Sequence, residues 1–375
     1  MANSQINEKN IVVHVVPGLA LGGIENLCLE LMRHSPPNVE NILLNLNPQR
    51  TEMMPLFEQL TDLTICNLSL SDYKRLEFVR QLTLKFKHLR PEALLIYPFG
   101  LHILVGLAAR LSGVSKIAVH AGNPPPKERS VIRNKWKLLI LISRILGIPI
   151  YSCSEAVHQS FQNLARLPRG SFPIPNGCDV VEISRRAKQS RENRAESSNQ
   201  IIGMVARLNS IKDHETLIKA FATVHSHQPN TELWIIGDGE KRQSLEYLTE
   251  TLNLREAVIF WGDRSDIPEL LGQMNIYAFS TTQDEGFGIA LIEAMAASLP
   301  VVASDIPACR EVLRNGEAGL LVPYNNPIIM AEILEKLLIS DSERRYWSQK
   351  AYIHVSSHYT IQKCAEQWYR VLLEQ

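Results

Sequence analysis

The sequence predicts an α/β chain built as two halves, each with its own parallel sheet. Three observations carry this prediction. Short β-branched runs alternate with helix-spaced apolar patterns, and such alternation implies parallel strands joined by right-handed crossovers. The alternation comes in two series, one ending near residue 153 and one starting at 201. Between them runs EISRRAKQSRENRAESSNQ at 182–200, polar with almost no apolar residues, the best candidate for a linker. A chain of 375 residues, 45% hydrophobic, has ample material for two cores.

In the first half, 11–16 reads as a strand ending at Pro17-Gly18. A glycine loop and a helix follow, with Leu27 and Leu31 at helical spacing. Further strands are expected at 42–46, 94–97, 116–119 and 149–153. In the second half they are expected at 201–206, 232–236, 257–261, 275–280, 300–303 and 319–322. No internal repeat or long low-complexity tract interrupts them.

Formal charge is balanced, 39 Lys and Arg against 39 Asp and Glu, so bulk attraction to nucleic acid gets no support. The halves differ: residues 1–190 hold 22 basic against 14 acidic residues, and the remainder 17 against 25. Either the halves have different partners, or domains of opposite sign face one another. Cys28, Cys66, Cys153, Cys178, Cys309 and Cys364 are scattered without CxxC or His-Cys spacing, which points to free thiols in a reducing compartment. The start, MANSQINEKN, is polar and lacks an apolar signal core. The longest apolar run, 138–150, is interrupted by Arg144 and too short to span a bilayer. A cytoplasmic protein, soluble or resting on the inner face of the cytoplasmic membrane, is expected.

The stretch most informative about chemistry is DEGFGIALIEAMAA at 284–297. Glycine lets backbone approach a ligand, and a helix start offers unpaired N–H groups and a positive dipole end to an anion. With a helix beginning near Gly288, Glu293 lies in its second turn, about 7 Å along the axis at 1.5 Å per residue. One carboxylate, Glu285, then stands at the phosphate-facing lip, and the other about a sugar's width away. An amphipathic helix with a solvated Glu is the alternative on these residues alone. Around this stretch come IIGMVARLNSIKDHETLIKAFATV (201–224), LWIIGDGEKRQSLE (233–246), FWGDRSDIPELL (260–271) and LPVVASDIPACREVLRNGEAGLLVP (299–323).

This ordered series resembles the nucleotide-binding half of retaining glycosyltransferases of family 4, over about 120 residues. The resemblance implies the GT-B fold: two Rossmann-like, doubly wound domains facing a central cleft. The expected domains are 1–181 on the acceptor side, a linker at 182–200, and 201–358 for the nucleotide-sugar. A final helix at 359–375, with Trp368 and Tyr369, is expected to cross back to the first domain.

The family's twin glutamates fall on Glu285 and Glu293, and its "GRL…K" cations on Arg207 and Lys212, with Ala206 in place of the usual glycine. The resemblance assigns Glu285 to the transferred sugar, Glu293 to ribose hydroxyls, and Arg207 and Lys212 to the diphosphate. Gly286, Phe287 and Gly288 form the donor lip. Gly237 and Gly239 lie near the nucleotide beside Lys241 or Arg242, and Arg264 and Asp266 lie where the base pocket forms. Gly22 and Gly23 would complete the phosphate clamp, whereas Glu25 is read as a helix cap. His120, with Asn123 nearby, stands near the reaction centre by resemblance, although a lone histidine is more often a structural residue. Asn176-Gly177 matches the family's "NG.D" turn and reads as a tight turn.

Loss of the diphosphate builds negative charge on it while the sugar becomes cation-like. The site therefore needs fixed positive charge and N–H donors. No aspartate pair suggests a metal, so transfer without a metal or other cofactor is expected. The implied substrates are a UDP- or GDP-sugar and a glycan or lipid-linked acceptor. The basic stretches 73–90 and 127–144, the second with Trp136, suit either an anionic membrane or a solvated face. A sugar-nucleotide epimerase, a phosphorylase and a catalytically idle subunit supporting a partner enzyme are the other readings.

Overall fold

The computed structural model describes residues 9–61, 63–126, 130–194 and 199–374. The chain divides into two units: Met1–Asn176 with Ile361–Gln375, and Gly177–Thr360. In the first, β1 (Asn10–Val16), β2 (Val39–Asn45), β3 (Thr64–Asn67), β4 (Ala93–Ile96), β5 (Lys116–Ala121) and β6 (Ile150–Ser152) form one parallel sheet. Its order is β3-β2-β1-β4-β5-β6. The second unit holds β7 (Gln200–Val205), β8 (Thr231–Ile236), β9 (Val258–Gly262), β10 (Ile276–Phe279), β11 (Val301–Ser304) and β12 (Leu320–Val322). Their order, β12-β11-β10-β7-β8-β9, repeats the first. Both sheets are doubly wound and Rossmann-like, as the alternation predicts. Strand order reverses between β1 and β4, and again between β7 and β10.

The strands β1, β4, β7, β10 and β11 are almost wholly buried because helices cover both faces. One face of the first sheet packs Val13, Val15, Leu94 and Ile96 against Phe78, Leu82 and Phe86 of the helix Arg75–Leu89. The last helix, Ile361–Leu373, buries Ile361, Cys364, Ala365, Trp368, Tyr369 and Leu372. Those residues recur at i, i+3, i+4, i+7, i+8 and i+11, one continuous stripe. This helix packs on β4, β5 and the helix Gly23–Arg33 of its own unit. The Tyr369 hydroxyl lies within hydrogen-bond distance of both the Leu31 carbonyl (3.1 Å) and Asn41 Oδ1 (3.0 Å), and Lys116 Nζ donates to the Leu373 carbonyl (2.7 Å). Each fully buried aromatic there contributes roughly 1.5–3 kcal/mol over exposure.

Two expectations need correction. The strand β3 (TICN) had no counterpart in the sequence reading: it is a half-exposed edge strand bonded to β2 alone, too short and polar to signal itself. The polar stretch 182–200 is not an open linker where it is described. Val180–Glu192 is a helix, capped by Asp179, whose Oδ1 accepts from Glu182 N–H at 3.0 Å. Its apolar stripe is only Val180, Ile183 and Ala187, too sparse to recognise. The helix packs on Ile267–Gln273 so closely that a Cβ on Gly272 would stand 2.3 Å from the Ala187 carbonyl oxygen. Arg186 forks onto Glu269 (2.7 and 2.6 Å), and Arg191 donates to the Ala297 carbonyl at 2.8 Å. The remaining linker residues 195–198 and the terminus 1–8 lie outside the described residues, as do Lys127, Glu128 and Arg129 of the basic stretch. Trp136, read with that basic face, instead stacks on Phe99 at 4.6 Å and packs on Phe161.

Candidate functional site

In an open doubly wound sheet, ligands bind outside the carboxyl ends of the strands where the order reverses. In the second unit that point lies between β7 and β10, and the two loops leaving these strands are zipped together. Lys212 and Thr281 pair as an isolated antiparallel bridge. Thr282 N–H donates to the Ile211 carbonyl (2.9 Å), and Asp213 N–H to the Ser280 carbonyl (3.1 Å). Asn209 turns the first loop by accepting from the Ile211 and Lys212 N–H groups at 3.1 and 3.4 Å. Asp213 caps the helix His214–His227 through Thr216 N–H at 3.2 Å.

This zipper brings Lys212 onto Glu285. Lys212 Nζ donates to Glu285 Oε2 and sits 4.4 Å from the centroid of the Phe279 ring. The side chains are 15% and 9% exposed, so little water screens the pair. The Thr281 hydroxyl lies within hydrogen-bond distance of both the Ile211 carbonyl (3.0 Å) and Glu285 Oε2 (3.2 Å), and Gly286 N–H donates to Oε1 at 3.2 Å. Burial pushes the Glu285 carboxyl up; the Lys212 ammonium, then the Phe287 N–H and Thr281 hydroxyl, pull it further down, to below the ordinary carboxylate value. Glu285 therefore stays ionised and holds its own loop. Neither Asn209 nor Thr281 was singled out in the sequence. Asn209 beside Ser210 in a strand-end loop was a legible turn signal; Thr281 carried none.

The helix Ile289–Ala296 starts where the sequence places it, with Gly288 at its N-cap in the left-handed region (φ 89°). A Cβ on Gly288 would lie 2.9 Å from the Phe279 ring. Glu293 is half-buried in the second turn. The Phe287 ring is buried and edge-on to Tyr359 at 5.4 Å, so this residue meets the lip through its backbone. Arg207 is exposed at the carboxyl end of β7 and makes no ion pair among the described residues.

Gly237 and Gly239 have a structural explanation of their own. Their φ angles are +127° and +158°, and a Cβ would meet the Ala206 and Leu208 carbonyl oxygens at 2.2 and 2.4 Å. Leu208 N–H donates to the Asp238 carbonyl at 2.9 Å, so GDG seats the loop that carries Arg207. Gly237→Ala is expected to lower stability by about 1–3 kcal/mol from backbone strain alone. Urea unfolding of the variant measures it, and an unchanged midpoint would contradict this packing. Arg264 forks onto Asp266 (2.7 and 2.5 Å), Arg242 spans Asp238 and Glu246 (both 2.8 Å), and Lys241 reaches Glu215 (3.3 Å). These cations already hold carboxylates, unlike Arg207.

The remaining sequence candidates lie in the first unit. Gly22 is the N-cap of the helix Gly23–Arg33, and Glu25 is buried in its first turn. Asn123 is exposed. His120, the penultimate residue of β5, is 1% exposed and lies with its ring 5.9 Å from both Tyr97 and Trp368. Its Nε2 faces Asn176 Oδ1 at 3.4 Å, while Nδ1 has no hydrogen-bond partner among the described residues. Burial, only partly offset by Asn176, lowers its pKa to about 4, so the ring is neutral at pH 7.

Comparison with known proteins gives the class that this segment resembles. The family model described as Glycosyl transferases group 1 matches residues 185–354, the segment that carries Lys212, Glu285 and the Gly288 helix. Particular relatives then stand out. An exopolysaccharide phosphotransferase of Streptomyces coelicolor is 31% identical over 184 residues, 48% of this chain and 19% of that protein. An N-acetylgalactosamine-N,N'-diacetylbacillosaminyl-diphospho-undecaprenol 4-alpha-N-acetylgalactosaminyltransferase of Campylobacter jejuni is 27% identical, covering 66% of this chain and 67% of its own. The chain thus spans about a fifth of the length of the first relative. Among solved structures, Anabaena Alr3699/HepE in complex with UDP-glucose superposes with a TM-score of 0.85 at 17% identity, covering 97% of this chain and 100% of that one. At that identity the likeness speaks for the fold, two Rossmann-like units of GT-B type. No described helix is long and apolar enough to cross a membrane.

Proposed function

We propose that the chain is a retaining glycosyltransferase of family 4 that moves a sugar from a UDP- or GDP-linked donor to a glycan or lipid-linked acceptor. One observation carries this reading. At the strand-order reversal of the second unit, the Lys212–Glu285 pair stands on the loop that leads into the Gly288 helix start, and Arg207, without an ion pair among the described residues, lies on the same β7 loop as Lys212, all inside the segment that matches the family.

In the proposed mechanism the donor diphosphate lies at the helix start, where N–H groups and the dipole favour it. Lys212 and Arg207 neutralise the charge that grows as the anomeric bond breaks. Glu285 keeps Lys212 fixed and presents its carboxylate to the transferred sugar; Glu293 takes the ribose hydroxyls. The departing phosphate oxygen accepts the acceptor's proton, so attack comes from the face the diphosphate leaves. His120 would serve as a neutral hydrogen-bonding ring through Nδ1, and the Gly22-Gly23 helix start offers a second anion-binding end. Fixed cations take the place of a divalent metal, so none is required.

A panel of UDP-, GDP- and ADP-sugars tests this by thermal shift and slow hydrolysis, with and without EDTA. UDP-glucose comes first because the Anabaena protein of the same fold was crystallised with it. One donor should stabilise the protein and be hydrolysed equally with EDTA present. Stabilisation without hydrolysis, even with acceptor extracts, would favour an idle binding subunit. Loss of turnover in EDTA with recovery in Mg²⁺ would refute metal independence, and NMR showing an inverted product would refute retention.

A further inference from the structure

The Gly288 lip already holds an anion of its own. Glu285 Oε2 takes the Lys212 ammonium and lies 3.2 Å from the Thr281 hydroxyl. Its Oε1 accepts from the Gly286 and Phe287 N–H groups at 3.2 and 3.5 Å, the two residues just before the Gly288 N-cap. A cation, two backbone N–H groups and a hydroxyl are the partners that phosphate oxygens take. Here one carboxylate occupies all four. Among the described residues Lys212 has no second carboxylate partner, so its whole ion pairing is spent on Glu285.

We propose that Glu285 sorts donor from product: it holds Lys212 against a bare nucleoside diphosphate and yields it only when a sugar is attached. This rests on the nucleotide-sugar reading of the site. In transfer the anomeric carbon–oxygen bond breaks and its electron pair passes to the terminal phosphate oxygen. The acceptor oxygen bonds the anomeric carbon, and its proton passes to that phosphate oxygen. The diphosphate left behind gains a second ionisation at about pH 6, hence about one more negative charge at neutral pH than the sugar ester carried. While the sugar is bound, its hydroxyls donate to Glu285 and free Lys212 for the phosphates. Once the sugar has left with the acceptor, those donors are gone. Glu285 then competes with the diphosphate for Lys212 and repels the new charge. A ligand shifts such an equilibrium only through differential affinity, and the sugar hydroxyls supply the difference.

Calorimetric titration of the full chain tests it, using UDP, GDP, ADP and the sugar nucleotide that gives the largest thermal shift in the donor panel. The proteins compared are the parent, Glu285→Gln, Lys212→Ala and Lys212→Ala/Glu285→Gln. Glu285→Gln should bind the matching diphosphate about ten-fold more tightly than the parent, within the ordinary range of coupling energies. It should bind the sugar nucleotide no more tightly than the parent does. Loss of a carboxylate that served folding alone would weaken both ligands. In the Lys212→Ala background the same substitution should bring a smaller gain, because no ammonium is left to compete for. The parent supplies a readout that needs no variant to fold: it should bind the sugar nucleotide at least as tightly as the matching diphosphate. Unchanged or weaker diphosphate binding by Glu285→Gln, equal gains in the two backgrounds, or a parent that prefers the bare diphosphate would overturn the proposal and leave the nucleotide-sugar reading standing. A folded parent that binds none of these nucleotides would overturn both.

Discussion

Lys212→Ala is expected to slow transfer by orders of magnitude and to lower folding stability at the same time. Removing one partner leaves a 9%-exposed carboxylate without its counter-charge, which costs about 3–5 kcal/mol in buried pairs. Losing one fixed cation at the developing phosphate charge lowers kcat about 10²–10³-fold. The two effects separate in Lys212→Ala/Glu285→Gln, where no charge is left stranded. Most of the stability should return while transfer stays as slow as in Lys212→Ala. If the double variant recovers transfer as well, Lys212 acts only through folding and the catalytic assignment fails. Acid titration gives a second readout. In the parent the Glu285 carboxyl lies below its unfolded value, so its stabilisation is present above the ordinary carboxylate range and is lost as pH falls through the folded value. In Lys212→Ala, burial acts without that opposing charge and pushes the carboxyl up. The deficit relative to the parent should therefore shrink as pH falls.

The second large effect is acid unfolding driven by buried histidines. His14, His102 and His120 in the first unit and His214 in the second are at most 1% exposed, and burial lowers each from 6.5 to about 4. A histidine buried neutral stabilises the fold fully above its unfolded pKa. That contribution is lost as pH falls from 6.5 toward 4, because the unfolded chain takes up the proton first. At about 1.4 kcal/mol per pH unit, each histidine accounts for roughly 3 kcal/mol across the window. The three in the first unit together amount to roughly 9 kcal/mol, comparable with the whole stability reserve of an ordinary domain. Tm should fall steeply between pH 6.5 and 4, with net proton uptake on unfolding; a Tm flat from pH 7 to 5 would rule this out.

Strands buried on both faces, such as VVHVV and VVAS, announce themselves because covered parallel strands are continuously apolar. The edge strand TICN does not, having one neighbour and partial solvent contact. The Gly288 lip and Lys212 were both legible as motifs. Their meeting was not: Lys212 and Glu285 are far apart in sequence, and only the β7–β10 pairing and the zipper of loops bring them together. Gly237 and Gly239 read as places for a ligand, yet the atoms that exclude a side chain there are the protein's own carbonyls. Sequence signals that glycine is needed; which neighbour requires it depends on topology. Trp136 went the same way, since its partners Phe99 and Phe161 come from other elements.

The stripe that closes the first unit, from Ile361 to Leu372, has a consequence for synthesis. The first unit is encoded in two pieces with all of Gly177–Thr360 between them. On the ribosome, β4 and β5 are made early but wait for their cover while the whole second unit emerges. At 5–20 residues per second that is roughly ten to forty seconds with an apolar flank exposed. The second unit is continuous and can fold during that interval, so the half made first is the half finished last. A premature stop at residue 360 would leave the second unit's segment whole while stripping Trp368 and Tyr369 from the first, giving a chain that chaperones hold or proteases remove.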